Sequence, residues 1–257
     1  MILKSPSIRA LGCAAVLCLA PGLRATAATE PPIIAKARAR LAPDAVLDAV
    51  RSIHYSGTMI GADPKDPTKE SRRSLEIILQ RPYRQRVVIT SDASIEINGL
   101  DDYDGWRRTI DAKDQSKWQQ TQLGPEQVKE LRADVWENLA FFRGIGRVGG
   151  SIEDKGPATI DGIACEKIAF IHGPAVVYYR YFNRSTGDLV DTRTGNEDNS
   201  IREHGEIIAG GIHFPKSLVM KQTVNGKMTT RTITFDKITI NETFPESLFA
   251  VPLPMPK

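Results

Sequence analysis

Apolar residues recur along this chain in two rhythms, one helical and one strand-like. Over residues 28–53 the period is helical: Pro43 suits a first helical turn, and Val46, Leu47, Val50 and Ile53 share one face. Strand-like alternation follows, opening at residues 55–60. After a polar loop holding Pro64 and Pro67, Leu75, Ile77 and Leu79 alternate with Ser74, Glu76 and Gln80 as far as Arg81-Pro82. Residues 83–90, 94–98 and 105–110 read as three more short strands, with turn chemistry at Asn98-Gly99 and Asp104-Gly105. The helical period then returns. Gly124-Pro125 starts a helix, Val128, Leu131, Val135, Leu139 and Phe142 recur along it, and Arg143-Gly144 ends it.

Past a glycine-rich loop the chain alternates again, in strands expected at residues 159–171, 176–182, 188–192 and 203–214. Residues 218–224 and 228–235 pair across Asn225-Gly226, the strongest short hairpin signal in the sequence. Residues 237–240 make a last strand, and 243–249 turn and dock as a tail. The pattern predicts a mainly β, α+β domain of about 10–11 antiparallel strands, with one helix before them and one inserted. No repeat or low-complexity linker divides it. A single sheet this wide must curl. Curled over a helix, it forms a half-barrel whose apolar concave face is a natural binding site.

The first residues stand outside this pattern. Lys4 and Arg9 precede a short apolar run, and Ala25-Thr26-Ala27 is a small-x-small cleavage signal. That order reads as a secretory signal peptide over residues 1–27, which leaves a domain of residues 28–257 and a periplasmic address. The run is too short for a membrane helix, and neither Cys13 nor Cys18 sits in a lipid-attachment context. Removing the segment changes the charge: the whole chain carries 34 Lys+Arg and 31 Asp+Glu, but Lys4, Arg9 and Arg24 leave with the leader. A formally neutral chain with interspersed charges has no electrostatic engine for nucleic acid, so that partner class is dropped. Cys165 is then the single cysteine, expected as a buried small hydrophobe.

Motif chemistry is sparse. Gly144-Ile-Gly146-Arg-Val-Gly149 has dinucleotide-loop spacing but follows a helix and leads into strands, the reverse of the order a phosphate site needs. His54, His172, His204 and His213 have no second ligand at metal spacing. The Asp101–Asp104 run lacks the alternating oxygens and closing glutamate of a calcium loop. No catalytic constellation, metal site or cofactor motif is expected, so the chain reads as a binding protein rather than an enzyme. Aromatics cluster instead: Trp106, Trp118, Trp136, Phe141, Phe142, Tyr178, Tyr179, Tyr181 and Phe182.

Four stretches, taken in order, carry a resemblance. They are Leu75-Glu-Ile-Ile-Leu-Gln-Arg-Pro82, Tyr103-Asp-Gly-Trp106, Gly210-Gly-Ile-His-Phe-Pro215 and Ile240-Asn-Glu-Thr-Phe-Pro-Glu-Ser-Leu-Phe249. With them the chain resembles the LolA/LolB-like superfamily, carriers and receptors for lipoproteins, and especially its outer-membrane lipoprotein-sorting members. The stretch 192–204 has no counterpart in that pattern.

The resemblance implies an incomplete barrel under a helical lid, with a cavity for the acyl chains of lipoproteins or lipids. It also implies an inner-membrane donor complex and an outer-membrane acceptor. Leu75, Ile77, Leu79, Trp106, Trp136 and Phe142 are the expected cavity residues. Arg81, in the basic-Pro strand end, is expected to couple the lid to release of cargo. The alternative expectation is a periplasmic sensor of the same fold that binds a signalling protein; such sensors carry a second C-terminal domain, for which the residues after Phe249 leave no room.

Overall fold

A computed structural model describes residues 30–63, 68–173, 175–195, 197–224 and 226–253. The expected signal peptide and Asn225 of the expected hairpin lie outside the described residues. The first helical segment is broken in two. Helix α1 (Pro32–Leu41) stops where Ala42 turns fully extended ahead of Pro43, and α2 (Asp44–Asp48) restarts just beyond. A proline cannot donate into the preceding turn, and it forces the residue before it out of the helical region.

Six strands follow: β1 (Ser52–Ala62), β2 (Glu70–Gln80), β3 (Arg84–Thr90), β4 (Ser94–Asp101), β5 (Asp104–Asp111) and β6 (Trp118–Gln122). Helix α3 (Pro125–Leu139) is the inserted helix. Nine more strands come after it: β7 (Ser151–Ile160), β8 (Ile163–Gly173), β9 (Val176–Asn183), β10 (Leu189–Thr194), β11 (Asn199–His204), β12 (Ile207–Ala209), β13 (Ile212–Phe214), β14 (Ser217–Val224) and β15 (Lys227–Ile240).

Thirteen strands make one antiparallel sheet in the order β6-β5-β4-β3-β2-β1-β15-β14-β11-β10-β9-β8-β7, and β12 pairs with β13 alone. The expected mainly β half-barrel is present, with more strands than expected. Two of them, β6 and β7, read as loop because Gln119, Gln120 and Gln122, and the Glu153–Gly156 stretch, carry no apolar alternation. The expected strand 203–214 is three strands, interrupted by Gly205 and by Gly210 and Gly211, all in the left-handed region. Asn98-Gly99 is not a turn. Gly99 lies inside β4, and a side chain there would sit 2.1 Å from the Trp106 ring. The glycine makes room for the indole.

The order places α3. The chain meanders outward from β1 to β6, then must reach β7 at the opposite edge before meandering back to β15 beside β1. Laid flat, thirteen strands at about 4.8 Å spacing would separate those edges by about 58 Å. The curl of the sheet brings those edges together, and α3, about 22 Å long, lies along the connection between them. Accordingly α3 packs against β2, β3, β4 and β5 from one half of the sheet and against β9 from the other.

The core divides beneath α3. One cluster gathers Leu47, Val50, Ile53, Leu79, Val135, Leu139, Phe141 and Phe235; the other gathers Ile34, Ala37, Ala133, Phe142, Ile168, Phe170 and Phe182. Phe141 and Phe142 follow the helix in the left-handed region, at φ 49° and 69°. That turn sends one ring to each cluster: Phe141 faces Phe214, and Phe142 meets Phe182 edge-on at 5.1 Å. Buried Arg38 holds it, donating to the carbonyls of Ala140 (3.2 Å) and Phe141 (2.8 Å) and pairing with Asp44 and Asp48.

Candidate functional site

The space left between the sheet and α3 is a hollow of about 720 Å³, inside the range of about 300–1,000 Å³ for small-molecule sites. Its floor is apolar and drawn from neighbouring strands at the centre of the sheet: Ile77 and Leu79 of β2, Val87 of β3, Ile201 of β11, Leu218 and Met220 of β14, Ile233 and Phe235 of β15. Alternation explains the set, since every second residue of each strand faces inward and the register aligns those positions across the sheet. Phe141 and Phe142 close one end, and Leu41 and Arg40 of α1 lie at the rim.

The structure brings together part of the expected cavity set. Ile77, Leu79 and Phe142 line the hollow. Leu75 points the same way but is buried in the core cluster beyond it. Trp106 is on the other face of the sheet, its Nε1 donating to the carbonyl of Phe249 at 2.8 Å, so it docks the tail. Trp136 lines a second cavity, of about 510 Å³, on the far side of α3, with Tyr83, Tyr103 and Arg132. There the Arg132 guanidinium lies between two rings, 3.7 Å from Tyr83 and 3.9 Å from Tyr103. Cys165 is buried and free.

Arg81 sits under the C-terminal end of α3. Its Nε donates to the Val50 carbonyl at 2.9 Å and its Nη2 to the Leu139 carbonyl. With Arg38 on the next two carbonyls, guanidinium groups cap three successive acceptors at the negative end of the helix dipole.

The polar side of the hollow escaped the sequence reading. Glu137, almost fully buried on α3, accepts from Arg180 of β9, and His172 Nε2 of β8 lies 2.6 Å from it. Arg180 in turn stacks on Phe142 and Phe170, at 4.8 and 4.7 Å. Burial pushes the Glu137 carboxyl up, but Arg180 and His172 together outweigh it and hold it below the usual range. One turn earlier Asp134 accepts from the Tyr178 hydroxyl, yet burial pushes its carboxyl up to about 6.

Glu203 of β11 is exposed, but to the hollow it lines; the surrounding protein desolvates it enough to push its carboxyl up to about 7, with Arg180 opposing. Its charge reaches Tyr55 on β1, whose hydroxyl is pushed up first by burial and then by Glu203.

Both raised carboxyls ionise less readily folded than unfolded, so their contribution to stability is present at low pH and lost as pH rises through about 6 and 7. The expected outcome is a lower thermal midpoint at pH 8 than at pH 5, with the difference reduced in Glu203→Gln. A midpoint that rises over that interval would contradict the placement of both groups.

Among the described residues no helix is long and apolar enough to cross a membrane, and no group of three or more His, Cys, Asp or Glu is placed to hold a metal ion.

An open curled sheet, a helix strapped across its mouth and an apolar hollow between them define a LolA-like fold. Solved structures share this fold. A LolA superfamily protein from Nitrosomonas europaea superposes with a TM-score of 0.54 at 13% identity, over 85% of this chain and 96% of that one. A DUF1329 family protein from Desulfovibrio piger gives 0.52 at 9% identity, covering 85% and 95%. An outer membrane lipoprotein-sorting protein domain from Vibrio parahaemolyticus gives 0.51 at 7% identity, covering 84% and 95%. No protein-family model matches the sequence, and no curated protein aligns with it.

Proposed function

We propose that the protein is a periplasmic carrier that holds the acyl chains of a lipoprotein or lipid in its hollow and moves them toward the outer membrane. The observation that carries this reading is the unfilled apolar space of about 720 Å³ under α3. An apolar concavity of this size is the kind of site that takes a small hydrophobic ligand. Each methylene sheltered there contributes about 0.8 kcal/mol, which lets a chain be held without a covalent step. Export through residues 1–27, an inner-membrane donor complex and an outer-membrane acceptor belong to the same proposal. The lipoprotein-sorting relative supports it by fold.

In this reading Arg81 is the latch. It ties the β2–β3 turn to the end of the helix that covers the hollow, so the helix cannot lift without breaking that cap. Replacing Arg81 by leucine is expected to speed release of a fluorescent fatty acid several-fold, as measured by stopped-flow exchange, with equilibrium stability changed by about 1–2 kcal/mol. Unchanged release would remove Arg81 from the coupling.

The decisive experiment is organic extraction and native mass spectrometry of the purified protein. Acyl species at stoichiometric occupancy are expected. A protein that carries no lipid and binds no fatty-acyl probe would overturn the carrier and leave the regulator that binds a protein partner.

A further inference from the structure

We propose that the amphiphile held in the hollow carries a cationic, amine-type head group, seated against Glu203. The inference rests on the acyl-binding reading above and names the chemistry of the cargo.

The charges around the hollow do not balance. Five carboxylates line it, Asp134, Glu137, Asp188, Glu203 and Glu206, against two guanidiniums, Arg40 and Arg180. Each cation is already engaged: Arg40 pairs with Asp188 at 2.8 Å and Arg180 with Glu137. Glu206 lies 2.7 Å from His213, and Asp134 accepts from Tyr178. Glu203 alone of the five has no hydrogen bond or ion pair among the described residues.

Its surroundings decide what could pair with it. Glu203 stands directly across from Leu218 in the β11–β14 register, two residues from inward-facing Ile201, on the floor where a chain would lie. A carboxylate desolvated beside apolar side chains without a partner is unfavourable. A ligand that brings the partner removes the penalty at the moment it binds. An ammonium supplies both the opposite charge and N–H donors for short charge-assisted hydrogen bonds. A carboxylate or phosphate head would instead meet like charge in a poorly screened site. Nothing in the polar and apolar alternation marks Glu203 as inward, and it lies in the segment 192–204 that departs from the family pattern.

The test is displacement of an uncharged fluorophore, diphenylhexatriene, from the purified protein by three probes of equal chain length: dodecylamine, dodecanol and dodecanoate. Dodecylamine is expected to displace it at about tenfold lower concentration than dodecanol, and dodecanoate to be the weakest, because a desolvated charge-assisted contact outweighs a neutral one. In Glu203→Gln the amine and the alcohol should come within about twofold, with dodecanol unchanged. Glu203→Asp, which keeps the charge, should retain the preference, and fluorophore binding by each variant reports that the hollow is intact. Equal displacement by all three probes, or an amine preference that survives in Glu203→Gln, overturns this inference alone. Failure of the unaltered protein to bind the fluorophore and every probe overturns the acyl-binding reading and this inference with it.

Discussion

Replacing Glu137 by alanine is expected to lower the unfolding free energy by about 3–5 kcal/mol, the cost of stranding one half of a buried ion pair. Its side chain is 3% exposed and that of Arg180 8%, so the pair is largely shielded from water. Arg180 is already short of a partner, since its Nε is buried without an acceptor, and the Phe142 and Phe170 rings beside it offer only their faces. His172 would lose the same carboxylate. Urea denaturation followed by tryptophan fluorescence measures the effect. The double replacement Glu137→Leu with Arg180→Met should recover most of it, because an apolar pair of similar size removes both charges together. If the double variant were as unstable as the single one, packing rather than charge would be the cause.

Filling the hollow should abolish most of its binding. Ile77 is half-buried on the floor, at the junction of β2 and the space beneath α3. Tryptophan at this position would occupy the room of two or three methylenes, about 2 kcal/mol of transfer energy, and weaken binding of a long-chain probe about thirtyfold. Leu75→Trp is not the equivalent experiment. Leu75 is 5% exposed inside the packed cluster, so the larger ring would strain the core before it reached the hollow. Titration of both variants with a fluorescent fatty acid separates the two positions. Full-strength binding by Ile77→Trp would mean that chains bind elsewhere, with the second cavity beside Trp136 the next place to look.

The contrast between these residues shows what the sequence could convey. Alternation at Leu75, Ile77 and Leu79 against Ser74, Glu76 and Gln80 marked the strand and suggested its inward face, although apolar Ile78, buried on the other face, interrupts it. The wide sheet, its curl and the helix over it followed from the count of such segments. On β5 the same logic had nothing to grip: Trp106 is as apolar as a cavity residue, yet both faces of that part of the sheet are covered, one by α3 and the other by the tail at Phe249. Trp136 failed for a related reason, because a helix strapped across a mouth has two covered sides and its period does not say which one faces the hollow. Glu137 and Glu203 carried no signal in the sequence, and Arg180 only a weak one. Charged residues within helices and strands read as solvated, and only the fold reveals that they converge. The alternation Tyr178-Tyr-Arg-Tyr-Phe182 held the available hint, an arginine at the same parity as two inward aromatics.

The adjacency of β1 and β15 at the centre of the sheet also governs how the protein can form. Ile53 pairs with Ile240, so the innermost ladder joins segments from nearly opposite ends of the described chain. Contacts of such long sequence separation demand slow, late loop closure and give the topology a high contact order. A chain delivered residue by residue from its N-terminus would expose the β1 edge until β15 had emerged. Until then the apolar rows destined for the interior lack that part of their cover, and the unpaired β1 edge is open to pairing with another chain.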